Sequence, residues 1–253
     1  MKILFTGDWH LDRSTAGFDR FFDIVGDIEK TLEHFRESCD GRDMLYVFLG
    51  DLANPNNVRS HRAVATAIEV ARTISTEILG YEDDPAIENS IWLTGNHDVI
   101  EDGSGESTLI SLAATGWSTV VDKPRVISFY SGLRAHDLSI VALPYPASCN
   151  SYDPVEFVES IEVPLMNNVL VIGHLSMPGI IAGSESGELA RGREYAWPVD
   201  AIKKRWPTAI MVGGHYHRSQ TCNGVIFPGS LERLGFDEES NDPGFITLEI
   251  NDG

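Results

Sequence analysis

Five short apolar runs limit what this chain can become: Ile3–Phe5, Met44–Leu49, Ile91–Leu93, Val169–Ile172 and Ala209–Val212. Each is too short for a buried helix and rich in β-branched or aromatic residues, so each reads as a buried strand. Between the first two, Phe18, Phe21, Phe22, Val25, Ile28, Leu32 and Phe35 recur at helical spacing, with Asp19, Asp23, Glu29 and Glu33 opposite. That pattern predicts an amphipathic helix. Val64, Ile68, Ala71, Ile74 and Ile78 predict a second helix before the third run, and strand–helix–strand alternation gives an α/β fold. From Arg125 onward the pattern changes. Val126–Tyr130 and Leu138–Leu143 flank a Ser131-Gly132 turn signal and read as a hairpin, and Val225–Phe227 and Phe245–Ile250 read as further strands. The expectation is a mixed sheet or two packed sheets, without internal repeat or linker, and so one domain over residues 1–253. Residues Ser176 to Tyr195 lack periodicity, and a loop of that length is expected to bind something or to move.

The end of each buried run carries the chemistry. Gly7-Asp8-Trp9-His10, Gly50-Asp51, Gly95-Asn96-His97-Asp98, Gly173-His174 and Gly214-His215-Tyr216-His217 each place polar side chains just past a strand. Open α/β sheets bind ligands beyond the carboxyl ends of their strands. Five neighbouring ends would therefore converge Asp8, His10, Asp51, Asn96, His174, His215 and His217 on one point. Carboxylates and imidazoles gathered near a protein interior need a cation to offset their desolvation. Nitrogen and oxygen donors without thiolate suit Mn, Fe or Zn. In Asp8-Trp9-His10 and His215-Tyr216-His217 the intervening residue lets both side chains point to one side of an extended chain. Taken singly, these residues are ordinary turn, cap and core positions; taken together they supply ligands for two ions.

Composition narrows the remaining choices. A net charge of −19 and a pI near 4.6 argue against the broad basic surface of a protein that holds nucleic acid unaided. Cys39, Cys149 and Cys222 are an odd number and form no Cys-x-x-Cys pair, so neither a disulfide framework nor a thiolate zinc site is expected. No stretch approaches a membrane span, and the N-terminus lacks a signal-peptide apolar region. The expectation is a soluble cytoplasmic protein with no membrane association.

The ordered motif set from Asp8 to His217 resembles the calcineurin-like metallophosphoesterase superfamily. The resemblance implies a four-layer sandwich, two mixed β-sheets flanked by α-helices, with a dinuclear centre at one edge. It further implies that Asp8, His10, Asp51 and His217 hold one ion and that Asp51, Asn96, His174 and His215 hold the other, Asp51 bridging and His97 unligated. Two divalent ions, Mn first with Fe, Zn or Mg as alternatives, would activate a bridging hydroxide and hold a phosphoester for in-line attack. His97 is expected to protonate the departing oxygen, and Asp98 to orient its ring.

Asp8-Trp9-His10-Leu11 and the closing segment Phe227-Pro228-Gly229-Ser230-Leu231-Glu232-Arg233, followed by Phe236 and Gly244 to Ile250, are similar to the SbcD family of DNA double-strand-break repair nucleases. This implies a manganese-dependent exo- or endonuclease with DNA as partner. Arg13, Arg59, Arg62 and Arg218 follow metal motifs and are the expected local contacts to DNA phosphate. Trp9 and Tyr216 are candidate stacking residues. Two departures stand out. The chain ends at Gly253, without the capping region that engages an SbcC-type ATPase, and Leu52-Ala53-Asn54-Pro55 lacks the usual aromatic and polar residues after the second motif. The acidity keeps open a phosphodiesterase or phosphatase for a nucleotide or other small phosphoester. A non-catalytic binding module on the same fold is the third reading.

Overall fold

A computed structural model describes residues 1–38, 44–54, 60–80, 89–100, 104–129, 138–146, 151–164, 168–181 and 195–250. One sheet has the order β13-β1-β4-β5-β6, where β1 is Lys2–Thr6, β4 Met44–Phe48, β5 Ser90–Leu93, β6 Thr119–Val121 and β13 Ile246–Glu249. The second has the order β11-β12-β10-β9-β8-β7, formed by Arg125–Phe129 (β7), Leu138–Leu143 (β8), Val169–Gly173 (β9), Ile210–Gly213 (β10), Gln220–Cys222 (β11) and Val225–Phe227 (β12). Both sheets are mixed: β13, β7 and β11 run antiparallel at edges of otherwise parallel arrays.

Side-chain alternation builds four layers from these strands. Leu4, Tyr46, Phe48 and Trp92 face outward from the first sheet onto helix α1 (Phe21–Ser38) and helix α2 (His61–Arg72). Ile3, Phe5, Leu45, Val47, Ile91 and Leu93 face the other way and meet Ile140, Ala142, Leu170, Ile172 and Val212 of the second sheet. Val141, Leu143, Val171 and Met211 then cover Val158 of helix α4 (Pro154–Ser160) and Ile202 of helix α5 (Val199–Arg205). Helix α3 is the short turn Ile110–Ala113. A strand buried on both faces has no polar face, which is why its sequence reads as a continuous apolar run.

The helix expected from Phe18 begins at Phe21. Phe18–Asp19 (β3) instead pairs with Ser14–Thr15 (β2), and Asp19 accepts the Phe21 amide hydrogen just ahead of the helix. Phe18 and Phe22 are 73% and 79% exposed, so the buried stripe is Ile24, Ile28, Thr31 and Phe35. The second helix buries Ala63, Ala67 and Val70 with the expected Ala71 and Ile74, while Ile68 and Ile78 pack partly buried against the same core, and it continues as a π-helical turn over Thr73–Ile78. The β7–β8 hairpin is present, and its Ser131-Gly132 turn lies outside the described residues. Strands β6 and β11 have no counterpart in the apolar runs. Asn223-Gly224, both at positive φ, closes the β11–β12 hairpin, as that dipeptide favours.

Candidate metal centre

The carboxyl ends of β1, β4, β5, β9 and β10 open onto one edge of the sandwich. The loops are stitched together: Asp8 N–H donates to Gly50 O (2.8 Å), His174 N–H to Leu143 O (3.0 Å) and Gly214 N–H to Gly173 O (3.0 Å). Close approach explains two of the glycines. A Cβ on Gly214 would lie 2.5 Å from Leu49 O, and one on Gly50, at φ +106°, would lie 2.5 Å from His174 Nδ1. Six non-glycine residues among those described have positive φ, and Asp8, His10, Asp51 and His215 are four of them. Each such conformation costs roughly 1–3 kcal/mol and persists where surroundings enforce it. The paired ligands in Asp8-Trp9-His10 therefore do not share a side by strand alternation, as expected from sequence. Left-handed turns at both residues bring them together.

All seven expected ligands meet. Asp8, His10 and His217 offer ligand atoms within 4.8 Å of one another, and so do Asp51, His174 and His215. Asn96 Oδ1 lies 2.9 Å from His174 Nε2 and 3.0 Å from His215 Nδ1. Asp51 Oδ2 stands between the two groups, 3.8 Å from His10 Nε2 and 3.3 Å from His174 Nε2. His97 Nε2 lies 3.9 Å from the same oxygen, and His97 forms a third close group with His10 and Asp51.

Hydrogen bonds on the far ring nitrogens fix the tautomers. His10 Nδ1–H donates to Asn54 Oδ1 (3.0 Å), His217 Nδ1–H to Glu238 Oε1 (2.7 Å) and His174 Nδ1–H to Leu49 O (2.7 Å). The Nε2 atoms of His10 and His217 then face each other at 3.1 Å with ring lone pairs on a common point. Only a proton or a cation makes that favourable, and the donors around it are two imidazoles and a carboxylate, a divalent-ion set. The electrostatics agree. Burial and the neighbouring Asp51 carboxylate push Asp8 up to about 6, against the pull of the histidines. Burial opposes charge on the His174 ring, but Asp51, Asp8 and the Leu49 carbonyl outweigh it and raise the ring to about 10. Burial, with His217 and His97 nearby, holds His10 well below the ordinary imidazole value.

Asp98 is not placed to orient His97. Its Oδ2 accepts the amide hydrogens of Asp51 and Gly95, and its Oδ1 that of Leu52, all at 2.9 Å. Asp98 thus clamps the loops after β4 and β5, while His97 Nδ1 is buried with no hydrogen-bond partner among the described residues. Trp9 and Tyr216 are core residues and offer no stacking face. Trp9 is buried against Phe48 and Trp92 with Nε1–H donating to Thr6 Oγ1, and Tyr216 packs on Phe227 with its hydroxyl accepting the Met177 amide hydrogen.

The four expected phosphate contacts lie in different settings. Arg13 follows His10, with Nε–H on Leu234 O at 3.3 Å. Arg218 follows His217 and is half-buried. Arg62 is half-exposed, paired with Asp19 at 2.8 Å and lying over the Phe21 ring, while Arg59 lies outside the described residues. Sequence reasoning missed Asn54 and Glu238. Asn54 sits three residues after Asp51, in the segment noted for departing from the usual pattern, and a buried glutamate in the short turn Phe236–Glu238 gives no local signal.

A sequence profile described as calcineurin-like phosphoesterase matches residues 1–219. Among solved structures, the chain is similar to "GAP50 the anchor in the inner membrane complex of Plasmodium", at 12% identity over 98% of this chain and 80% of that one, with a TM-score of 0.46. It is also similar to a protein of unknown function from Aquifex aeolicus, at 11% identity over 97% of this chain and 95% of that one, with a TM-score of 0.39. No helix among the described residues is long and apolar enough to cross a membrane.

Proposed function

We propose that this chain, which belongs to the calcineurin-like phosphoesterase family, is a DNA nuclease of the SbcD type that uses two divalent ions. Membership makes it a metallophosphoesterase, a hydrolase of phosphoester bonds. The observation that carries the two-ion reading is the pair of facing Nε2 atoms on His10 and His217 beside a carboxylate shared with His174. Asp8, His10, Asp51 and His217 hold one ion in this reading; Asp51, Asn96, His174 and His215 hold the other. Bound there, manganese ions would neutralise phosphoryl charge and make water a competent nucleophile at neutral pH.

The chain's own residues do the rest. Asp98 fixes the Asp51 backbone through its amide. Gly50 and Gly95 leave room for His174 and for the Asp51 carboxylate. Burial keeps the His97 ring below its ordinary pKa, and the negative charge of an incoming phosphodiester counters that effect, so His97 can carry a proton to the departing oxygen. Arg13 and Arg218, three residues after His10 and one after His217, would supply positive charge to a diester entering from that side.

Support for DNA over other diesters comes from the closing segment. The Pro228-to-Arg233 stretch that is similar to SbcD folds against a ligand loop: Ser230 N–H donates to His217 O at 3.1 Å, and Glu238 reaches the His217 ring. The acidity of −19 and the pairing of Arg62 with Asp19 favour the second reading, a small phosphoester. A panel of linear duplex DNA, single-stranded DNA, cyclic nucleotides and mononucleotides, with Mn and with chelator, separates the two. The nuclease reading expects Mn-dependent cleavage of DNA; turnover of small esters with every DNA left intact overturns it.

A further inference from the structure

The imidazoles of the candidate centre are not backed alike. His10 and His174 donate their far N–H to neutral acceptors, the Asn54 side chain and the Leu49 carbonyl. His217 donates to a carboxylate, Glu238, at 2.7 Å. Glu238 is 1% exposed and stands in the short 3-10 turn Phe236–Glu238, beyond the family match. Its second oxygen accepts the Leu234 amide hydrogen at 2.7 Å, so both oxygens are committed. The turn is tied down as well: Asn241 N–H donates to Glu238 O (2.9 Å) and Arg233 Nε–H to Asn241 O (3.0 Å). A buried carboxylate on the far side of an imidazole fixes its ring orientation and makes the near nitrogen a stronger donor.

We propose that Glu238 is the positioning residue for His217 and makes the ion position of Asp8, His10 and His217 the tighter of the two. This rests on the two-ion reading above. The negative charge behind His217 adds to Asp8 and Asp51 at that position. Asp51 is shared with the position of His174 and His215, and Asp8 also acts on His174 and accepts the His215 amide hydrogen; what differs is that His174 has a backbone carbonyl behind it where His217 has a carboxylate.

The test is a titration of the chelator-treated chain with manganese alone, followed by the electron paramagnetic resonance of free Mn. The unaltered chain should take two ions in two steps. In Glu238→Gln and Glu238→Ala the tighter step should weaken by about 10–100-fold, with the looser step within about threefold of its original value. Gln keeps the shape and removes the charge, so it reads the effect even where Ala disturbs the turn. Arg233→Ala, which loosens the same turn without touching His217, should leave both steps in place. Equal weakening of both steps, no weakening, or the same loss in Arg233→Ala overturns the assignment and leaves Glu238 a structural residue. Fewer than two ions on the unaltered chain overturns the two-ion reading itself.

Discussion

Gly50→Ala is the substitution whose cost follows most directly from the geometry. At φ +106° the backbone lies where side chains are rarely tolerated, and the added Cβ would stand 2.5 Å from His174 Nδ1 and 2.8 Å from both the N and Cα of Gly95. Forcing a non-glycine residue there costs roughly 1–3 kcal/mol. Overpacking against a ring and a backbone that are themselves fixed adds about 1–3 kcal/mol. The sum is about 4 kcal/mol, and for a chain of this size each kcal/mol lowers the melting temperature by roughly 2–4 °C. A fall of about 8–16 °C is expected in circular-dichroism melts of chelator-treated protein. His174 can relieve the contact only by leaving Leu49 O, its 2.7 Å partner, so Mn affinity should drop as well, by about 10–100-fold. Gly26→Ala is the matched control. Gly26 lies within α1, and a Cβ there meets nothing within 4 Å, so the change should stabilise by roughly 0.5–1 kcal/mol. Melting of Gly50→Ala within about 2 °C of the unaltered chain, with Mn affinity intact, would refute the claim that close packing at this position sets the site.

His97→Ala should lower kcat on a diester by about 10²–10⁴-fold while two Mn ions remain bound by elemental analysis; loss of metal instead would make His97 a ligand. For Asp8 and His174, raised from 3.8 to about 6 and from 6.5 to about 10, the fold holds protons that the unfolded chain has released. Stability of the chelated protein from these groups is therefore lost as pH rises, over 3.8 to about 6 for Asp8 and 6.5 to about 10 for His174. Ligands must shed those protons to bind metal, so the gain in melting temperature on adding Mn should widen from pH 5.5 to 8.5, and a gain that is flat over this range contradicts the assignment of both residues as ligands.

Strands buried on both faces announced themselves, because β1, β4, β5, β9 and β10 cannot carry a polar face. The loops that follow them were legible for the same reason: a polar residue directly after such a strand and a tight glycine has to project at the sheet edge. Helix faces were read less well. Phe18 and Phe22 fit the apolar period but are exposed, Phe18 in a strand ahead of the helix, and the small residues Ala63 and Ala67 join the expected Ala71 and Ile74 on the buried face of α2, while Val64 and Ile68 are only partly buried. Close helix–sheet packing selects for small size there, and hydrophobic periodicity does not register size. Asp98 shows the limit within the site. Its neighbour His97 suggested a partner one residue away, yet its carboxylate turns toward the amides of Asp51, Leu52 and Gly95, since the two loop ends present three inward N–H groups that need an acceptor. Glu238 was invisible because its relation to His217 spans 21 residues and a reversal of the chain.

Crystals soaked in manganese and measured near the Mn absorption edge give the most direct test of the central claim. The account predicts two anomalous peaks about 3.5–4 Å apart, one against Asp8, His10 and His217 and the other against His174 and His215, with Asp51 touching both. A single peak, or peaks placed away from these side chains, would contradict it.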